Sequence, residues 1–103
     1  MNIEFEWDSG NLKKMDLIRK SGREFTIQEL ESVFYDDSAI TEKTTFDFIT
    51  GEQRYIIYGK SNQNSVICVM FVVRNHKIRI FNFWKAKGSK LKKYNEKIRR
   101  MEN

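Results

Sequence analysis

Hydrophobic positions in this chain change their period from block to block. Asn2 to Trp7 alternates strictly, with Ile3, Phe5 and Trp7 on one face and Asn2, Glu4 and Glu6 on the other, which predicts a half-buried strand. Asp8 or Ser9 then caps a helix over about Asn11 to Lys20, with Leu12, Met15 and Ile18 inward and Gly22 as its stop. Thr26 and Glu29 have the spacing of a capping box, each satisfying an orphan backbone donor, and Phe25 and Leu30 take the staple positions beside it. The second helix should run to about Phe34, bury Leu30, Val33 and Phe34, and end at Asp36-Asp37-Ser38.

Beyond residue 39 the pattern turns to strands. Ile40 to Phe48 is rich in Thr and aromatics, alternates poorly, and is assigned to a strand; Thr50-Gly51 is a turn. Arg54 to Gly59 is a second strand, followed by a polar turn at Ser61 to Asn64. Val66 to Val73 is an uninterrupted β-branched run, as a central strand covered on both faces would be. Asn75-His76 makes a short hairpin link to a last strand over about Lys77 to Trp84. A final helix runs from about Ser89 to Met101, with Leu91, Tyr94, Ile98 and Met101 as a narrow apolar seam among lysines and arginines. Strands joined by tight turns imply an antiparallel sheet with helices packed to one side, an α+β fold. At 103 residues the chain suits one domain, 1–103.

Composition narrows the function classes. Eight Phe, four Tyr and two Trp do not suit a disordered chain. The single cysteine, Cys68, lies inside the apolar run and reads as a small buried hydrophobe. The first residues do not resemble a signal peptide, and the longest apolar run, Val66 to Val73, is too short to span a bilayer. A cytoplasmic protein without a membrane partner is expected. Charge is uneven: residues 1–73 carry eight basic and twelve acidic side chains, residues 74–103 eleven basic and two acidic. That asymmetry points to a polyanion or an acidic protein at the C-terminal part.

The last strand combines the two signals. On a regular strand Ile78, Ile80, Asn82 and Trp84 would point one way, and Lys77, Arg79, Phe81, Phe83 and Lys85 the other. Cations interleaved with rings suit RNA, the cations on phosphates and the rings under unpaired bases. Packing of Phe81 and Phe83 beneath a helix explains the same pattern, and the two readings weigh about equally. The one histidine, His76, reads as a turn residue. No metal-ligand cluster, nucleophile set or glycine-rich phosphate loop stands out, so no metal or cofactor is expected. What remains is metal-free phosphoryl transfer within RNA, with cations stabilising the transition state. Arg54, Arg79, Lys20 and Lys85 are candidates, with Glu52 or Tyr55 as proton carriers.

Several segments taken together resemble a known family. Phe5-Glu6-Trp7-Asp8 is similar to the FEWD opening of BrnT-type toxins, Val33-Phe34-Tyr35-Asp36 to their VFxD, and Gly51-Glu52-Gln53-Arg54-Tyr55 to GEERF, with Gly59 and Ser61 matching IGxS. Val69 to Arg74 resembles VVFTxR, Ile78-Arg79-Ile80 matches IRI, and Ala86 and Tyr94 have the spacing of the ARxA…Y ending. The likeness runs colinearly from about residue 5 to residue 94. It implies a RelE-like fold: an antiparallel sheet of about four to five strands, two N-terminal helices packed on it, and a basic C-terminal helix. It further implies a metal-independent endoribonuclease that inhibits translation and is neutralised by a cognate antitoxin. That antitoxin would be of ribbon-helix-helix type, with operator DNA bound only through the complex.

Matching positions carry over Lys20, Arg54 and Arg79 as catalytic residues, and Phe81, Phe83, Lys85, Lys87 and Lys90 are the RNA-binding candidates. The chain departs from the pattern at Ser21, where the family has His, and at Trp84, where it has Arg; Asn82, Lys87 and Lys90 also differ. These departures motivate an alternative, a non-catalytic degenerate toxin acting as a protein- or RNA-binding module. Direct DNA binding by the lysine-rich last helix ranks below both.

Overall fold

The computed structural model describes residues 2–102. Helix α1 (Ser9–Lys20) starts at Asp8, whose Oδ1 accepts from the Gly10 and Asn11 amides at 2.9 and 3.3 Å. Asn11 Oδ1 returns the bond by accepting from the Asp8 amide at 2.7 Å, so the box forms here. Gly22, at φ +99°, ends the helix by donating to the Arg19 carbonyl. Helix α2 (Ile27–Ser32) has the predicted cap, Thr26 Oγ1 accepting from the Glu29 amide at 3.0 Å. The predicted return bond is replaced: the buried Glu29 carboxylate accepts from the Ser61 hydroxyl at 2.8 Å instead. A single 3-10 turn, Val33–Tyr35, finishes this segment.

Four strands follow as an antiparallel meander in the order β1-β2-β3-β4: β1 (Ile40–Asp47), β2 (Glu52–Lys60), β3 (Val66–Arg74) and β4 (Lys77–Lys85). Asn75 and His76 link β3 to β4 with φ of 51° and 65°, the left-handed pair that matches hairpin twist. The expected N-terminal strand is reduced to one parallel bridge, Phe5 beside Ile78, with Glu6 N and Ile78 N donating at 2.9 Å. Two residues later Asp8 turns the chain into α1, which leaves no length for a ladder. Its inward alternation survives, since Phe5 and Trp7 pack on the core.

Each face of the sheet carries a packed core. Ile57, Ile67, Val69, Phe71, Ile80 and Phe83 pack against Met15 of α1 and Leu30 and Val33. On the opposite face Ile56, Tyr58 and Cys68 meet helix α3 (Gly88–Glu102) through Tyr94, Leu91 and Ile98. Successive residues of β3 thus serve two cores, as its uninterrupted apolar run implies. The expectation of helices on one side is corrected: α3 takes the other face. Met101, predicted in its seam, is mostly exposed. Burial pushes the Cys68 thiol up to about 11, which suits an inert core residue.

A bulge in β4 decides which side chains reach which face. Met70 pairs with Asn82 but Phe71 pairs with Ile80, so Phe81 is an extra residue. Strict alternation therefore fails at Phe81. Phe83 rejoins Ile80 in the first core, 0% exposed and edge-on to Phe25 at 5.9 Å. It offers no ring face to a base, and the packing reading applies to it. Trp84 falls on the other side, under α3.

Asp36 fixes where α3 lies. Its Oδ2 accepts from the Tyr94 hydroxyl at 2.6 Å and the Lys60 amide at 2.7 Å, and its Oδ1 from the Ser38 amide. Burial favours its neutral form, but these donors outweigh it and hold the carboxyl below its ordinary range. Gly59 lets the strand pass close by: a Cβ there would stand 2.8 Å from Ala39 Cβ and 3.0 Å from Asp36 Oδ2. Among the described residues no helix is long and apolar enough to cross a membrane.

Candidate functional site: an arginine cleft on the open half of the sheet

Helix α3 covers one half of its face and leaves the rest open. There a cleft of about 250 Å³ lies between the strands and the first turns of α1. Arg54 of β2, Arg74 of β3, Arg79 and Phe81 of β4, and Gly10 and Lys14 of α1 line it, together with Glu52 and Val72. The strand register explains the convergence. Continuing from Tyr55 opposite Phe71, it sets Arg54 beside Val72 and Glu52 beside Arg74, while Val72 pairs with Arg79. Arg54 and Arg79 therefore occupy one row, two strands or roughly 10 Å apart.

Every arginine of the cleft meets a carboxylate. Arg74 grips Glu52 with two bonds, Nε to Oε2 and Nη2 to Oε1, the latter 2.8 Å. This holds Glu52 below the usual glutamate range. Arg79 Nη1 donates to Glu6 and, at 2.7 Å, to Asp8 Oδ2, and Nη2 to Asp8 Oδ1 at 3.2 Å. Asp8 is drawn down to about 2, first by Arg79 and then by the Asn11 amide. With its side chain only 13% exposed, Arg79 clamps the N-terminal segment to β4. Arg54 is looser, 46% exposed and 4.0 Å from Asp47.

Two cations lie near the ring of the bulged Phe81. Arg54 Cζ is 5.5 Å and Lys14 Nζ 5.8 Å from its centroid, which are cation–π distances. A second concavity, lined by Leu17, Arg23 and Asn82, continues past Phe81. Arg23 Nη1 donates to Asn82 Oδ1 and to the Phe83 carbonyl there. The arrangement offers guanidinium donors for phosphate oxygens, one carboxylate as proton acceptor, and one half-buried ring beside them.

The structure brings Arg54, Arg79, Phe81 and the proton-carrier candidate Glu52 together and leaves the other candidates elsewhere. Lys20 is exposed at the end of α1. It stands nearly two turns along the helix from Lys14 and about 120° round it, and it does not line the cleft. Lys85, the last residue of β4, and Lys87 just after it are exposed and do not line the cleft. Lys90 is engaged in structure, paired with Glu42 and lying 5.2 Å over the Tyr58 ring. Tyr55 stacks on Phe71 on the opposite face and is no proton carrier for the cleft. Ser21 caps α1 through its hydroxyl on the Ile18 carbonyl, and Trp84 is part of the α3 core.

Sequence reasoning missed Arg74 and Lys14. The signal for Arg74 lies in the register: with Lys60 opposite Val66 the β2–β3 link is 61–65, and Glu52 and Arg74 are equally far from its centre, Gln63, so a regular hairpin pairs them. Lys14 had no such signal, because its place depends on how α1 crosses the edge of β4.

A protein-family model described as a ribonuclease toxin, BrnT, of type II toxin–antitoxin systems matches residues 7–89. A search among characterised proteins finds no match.

Proposed function

The chain belongs to the BrnT family of ribonuclease toxins of type II toxin–antitoxin systems, and from that premise we propose that the arginine cleft is where it cuts RNA. The observation carrying this reading is the convergence of Arg54, Arg74, Arg79, Lys14 and Glu52 around one exposed concavity. The proposed reaction uses side chains alone. Arg74 aligns Glu52, which takes the proton of a ribose 2′-hydroxyl; the 2′-oxygen attacks the adjacent phosphorus. The bond to the 5′-oxygen breaks, water protonates that oxygen, the Glu52 proton passes to the hydroxide so formed, and a 2′,3′-cyclic phosphate remains. Arg54 and Lys14 carry the charge that builds on the phosphate, where preorganised cations act most strongly. Phe81 stacks a neighbouring base. Arg79 is a positioning residue: it holds Asp8 and thereby the first turn of α1.

Family membership gives the protein an antitoxin partner and an RNA target. We extend this to a ribbon-helix-helix antitoxin, to operator contact through the complex, and to action in the cytoplasm on translated RNA. The chain is read as one toxin domain.

The test is cleavage of a labelled single-stranded RNA by the purified protein. Cleavage to a 2′,3′-cyclic end, lost when the scissile nucleotide is 2′-deoxy and lost in Arg54→Ala, is the expected result. Binding of RNA without turnover would overturn the catalytic reading.

A further inference from the structure

The hairpin joining β1 to β2 carries an apolar tip that neither core uses. Phe46 is 41% exposed, Phe48 91% and Ile49 96%. Phe46 and Phe48 pack edge-on at 5.0 Å, so the two rings form one preset surface rather than two wandering side chains. The loop beneath is ordered by Asp47, whose Oδ1 accepts from the Ile49 and Thr50 amides, and by Gly51, which donates to the Asp47 carbonyl at 2.8 Å. Two nearly naked large apolar side chains on a rigid turn mark an interaction surface.

Three observations choose the occupant. Ile49 has no ring face for a base, and residues 44–51 hold no cation, their one charge being Asp47, so the tip itself has nothing to grip a phosphate backbone. A second copy of this chain would bring a further +5 charge. A short step away, however, Asp47 stands 4.0 Å from Arg54, and Arg54 and Arg74 are each about half exposed. An apolar anchor next to exposed guanidinium groups fits a segment carrying one or two large apolar side chains followed by carboxylates.

We propose that the Phe46–Phe48–Ile49 tip is the anchor on which the antitoxin docks, through an apolar and acidic segment whose carboxylates reach Arg54 and Arg74. This rests on the antitoxin that family membership implies and on the cleft reading only for the consequence, which is a blocked cleft. The tip itself takes no part in cleavage.

The experiment uses the full-length double variant F48S/I49S and the antitoxin expressed from the paired reading frame. Both side chains are exposed, so the unfolding midpoint should stay at the wild-type value and report an intact fold. Dissociation of the antitoxin should speed up at least about tenfold, as loss of a central apolar anchor does. Cleavage of labelled RNA should be unchanged, and the variant should arrest growth despite co-expressed antitoxin. Wild-type complex stability should also fall as salt rises. Unchanged antitoxin binding overturns the proposal. So does a raised KM for RNA with normal antitoxin binding, which would make the tip an RNA surface. Self-association of the wild-type chain that the variant abolishes would overturn it too. If the chain cleaves no RNA, the binding measurement still decides the proposal by itself.

Discussion

Arg74 and Glu52 face each other across β2 and β3 in a two-bond pair, with Nη2 to Oε1 at 2.8 Å. The pair is about half exposed on the arginine side, so its worth to stability is small. In the proposed reaction its value is alignment. Glu52→Gln keeps the shape and one acceptor but removes the base, and should lower cleavage about 100- to 10,000-fold with little change in the unfolding midpoint. Because Arg74 holds Glu52 below its ordinary 4.5, the acid limb of the wild-type rate profile should lie below that value. In Arg74→Ala it should move up toward it. Single-turnover rates from pH 3 to 8 would check both.

Arg54 and Arg79 line the same cleft but should answer differently to removal. Arg54 is 46% exposed with one long contact to Asp47, so Arg54→Ala should shift stability by no more than about 0.5 kcal/mol. Cleavage should nonetheless fall by about 100-fold or more, the usual cost of losing a positioned transition-state donor. Arg79→Ala frees Glu6 and Asp8 and undoes the clamp on the N-terminal segment. It should lower the unfolding midpoint clearly more than Arg54→Ala and speed amide exchange at Glu6 and Ile78, the two bridge donors. Equal midpoints for the two variants would remove Arg79 from its positioning role.

Much of the architecture is legible in the chain because local rules and packing agree there. Four strands, three helices, the Thr26 cap and the buried Cys68 all follow from period, turn chemistry and apolar runs. The errors share one physical origin, the geometry between elements. One extra residue at Phe81 changes the face of everything after it, and turned Phe83 from a surface ring into core. Glu29 left its capping box because Ser61, remote in sequence, offered a better-buried hydroxyl. Of the site, Arg54, Arg79, Phe81 and Glu52 were visible as residue types, whereas Arg74 needed the strand register and Lys14 the placement of α1. Lys20 matched a pattern in sequence but does not line the cleft.

Gly59 is a packing glycine with no left-handed φ to explain it. Adding one methyl places carbon 2.8 Å from Ala39 Cβ, inside any real contact, and 3.0 Å from Asp36 Oδ2. Relief requires moving the segment that carries Asp36 and, with it, the Tyr94 and Lys60 bonds. Gly59→Ala should therefore destabilise by roughly 1–3 kcal/mol, an overpacking cost. The loss should be smaller in an Ala39→Gly background, where the nearest atom is gone. Denaturant unfolding of the two single variants and the double variant gives that coupling directly.

The same Asp36 knot sets an acid limit on the fold. Asp36 and Asp8 are both held below their ordinary 3.8, Asp8 down to about 2. A carboxylate depressed in the folded state adds stability that is complete above its unfolded pKa and is lost as pH falls through the folded one. The wild-type midpoint should thus be level above about pH 4 and fall steeply toward pH 2. Tyr94→Phe removes the donor at 2.6 Å from Asp36 Oδ2 while the surrounding burial remains. The folded pKa of Asp36 should then rise, because burial is no longer outweighed to the same extent. Stability near neutral pH should drop by about 1.5–3 kcal/mol, as for a hydrogen bond to a charged group. The acid decline should begin at a higher pH than in wild type. Thermal unfolding of both proteins at half-unit steps from pH 2 to 7 measures the shift, and superimposable acid limbs would show that Tyr94 does not hold the Asp36 charge.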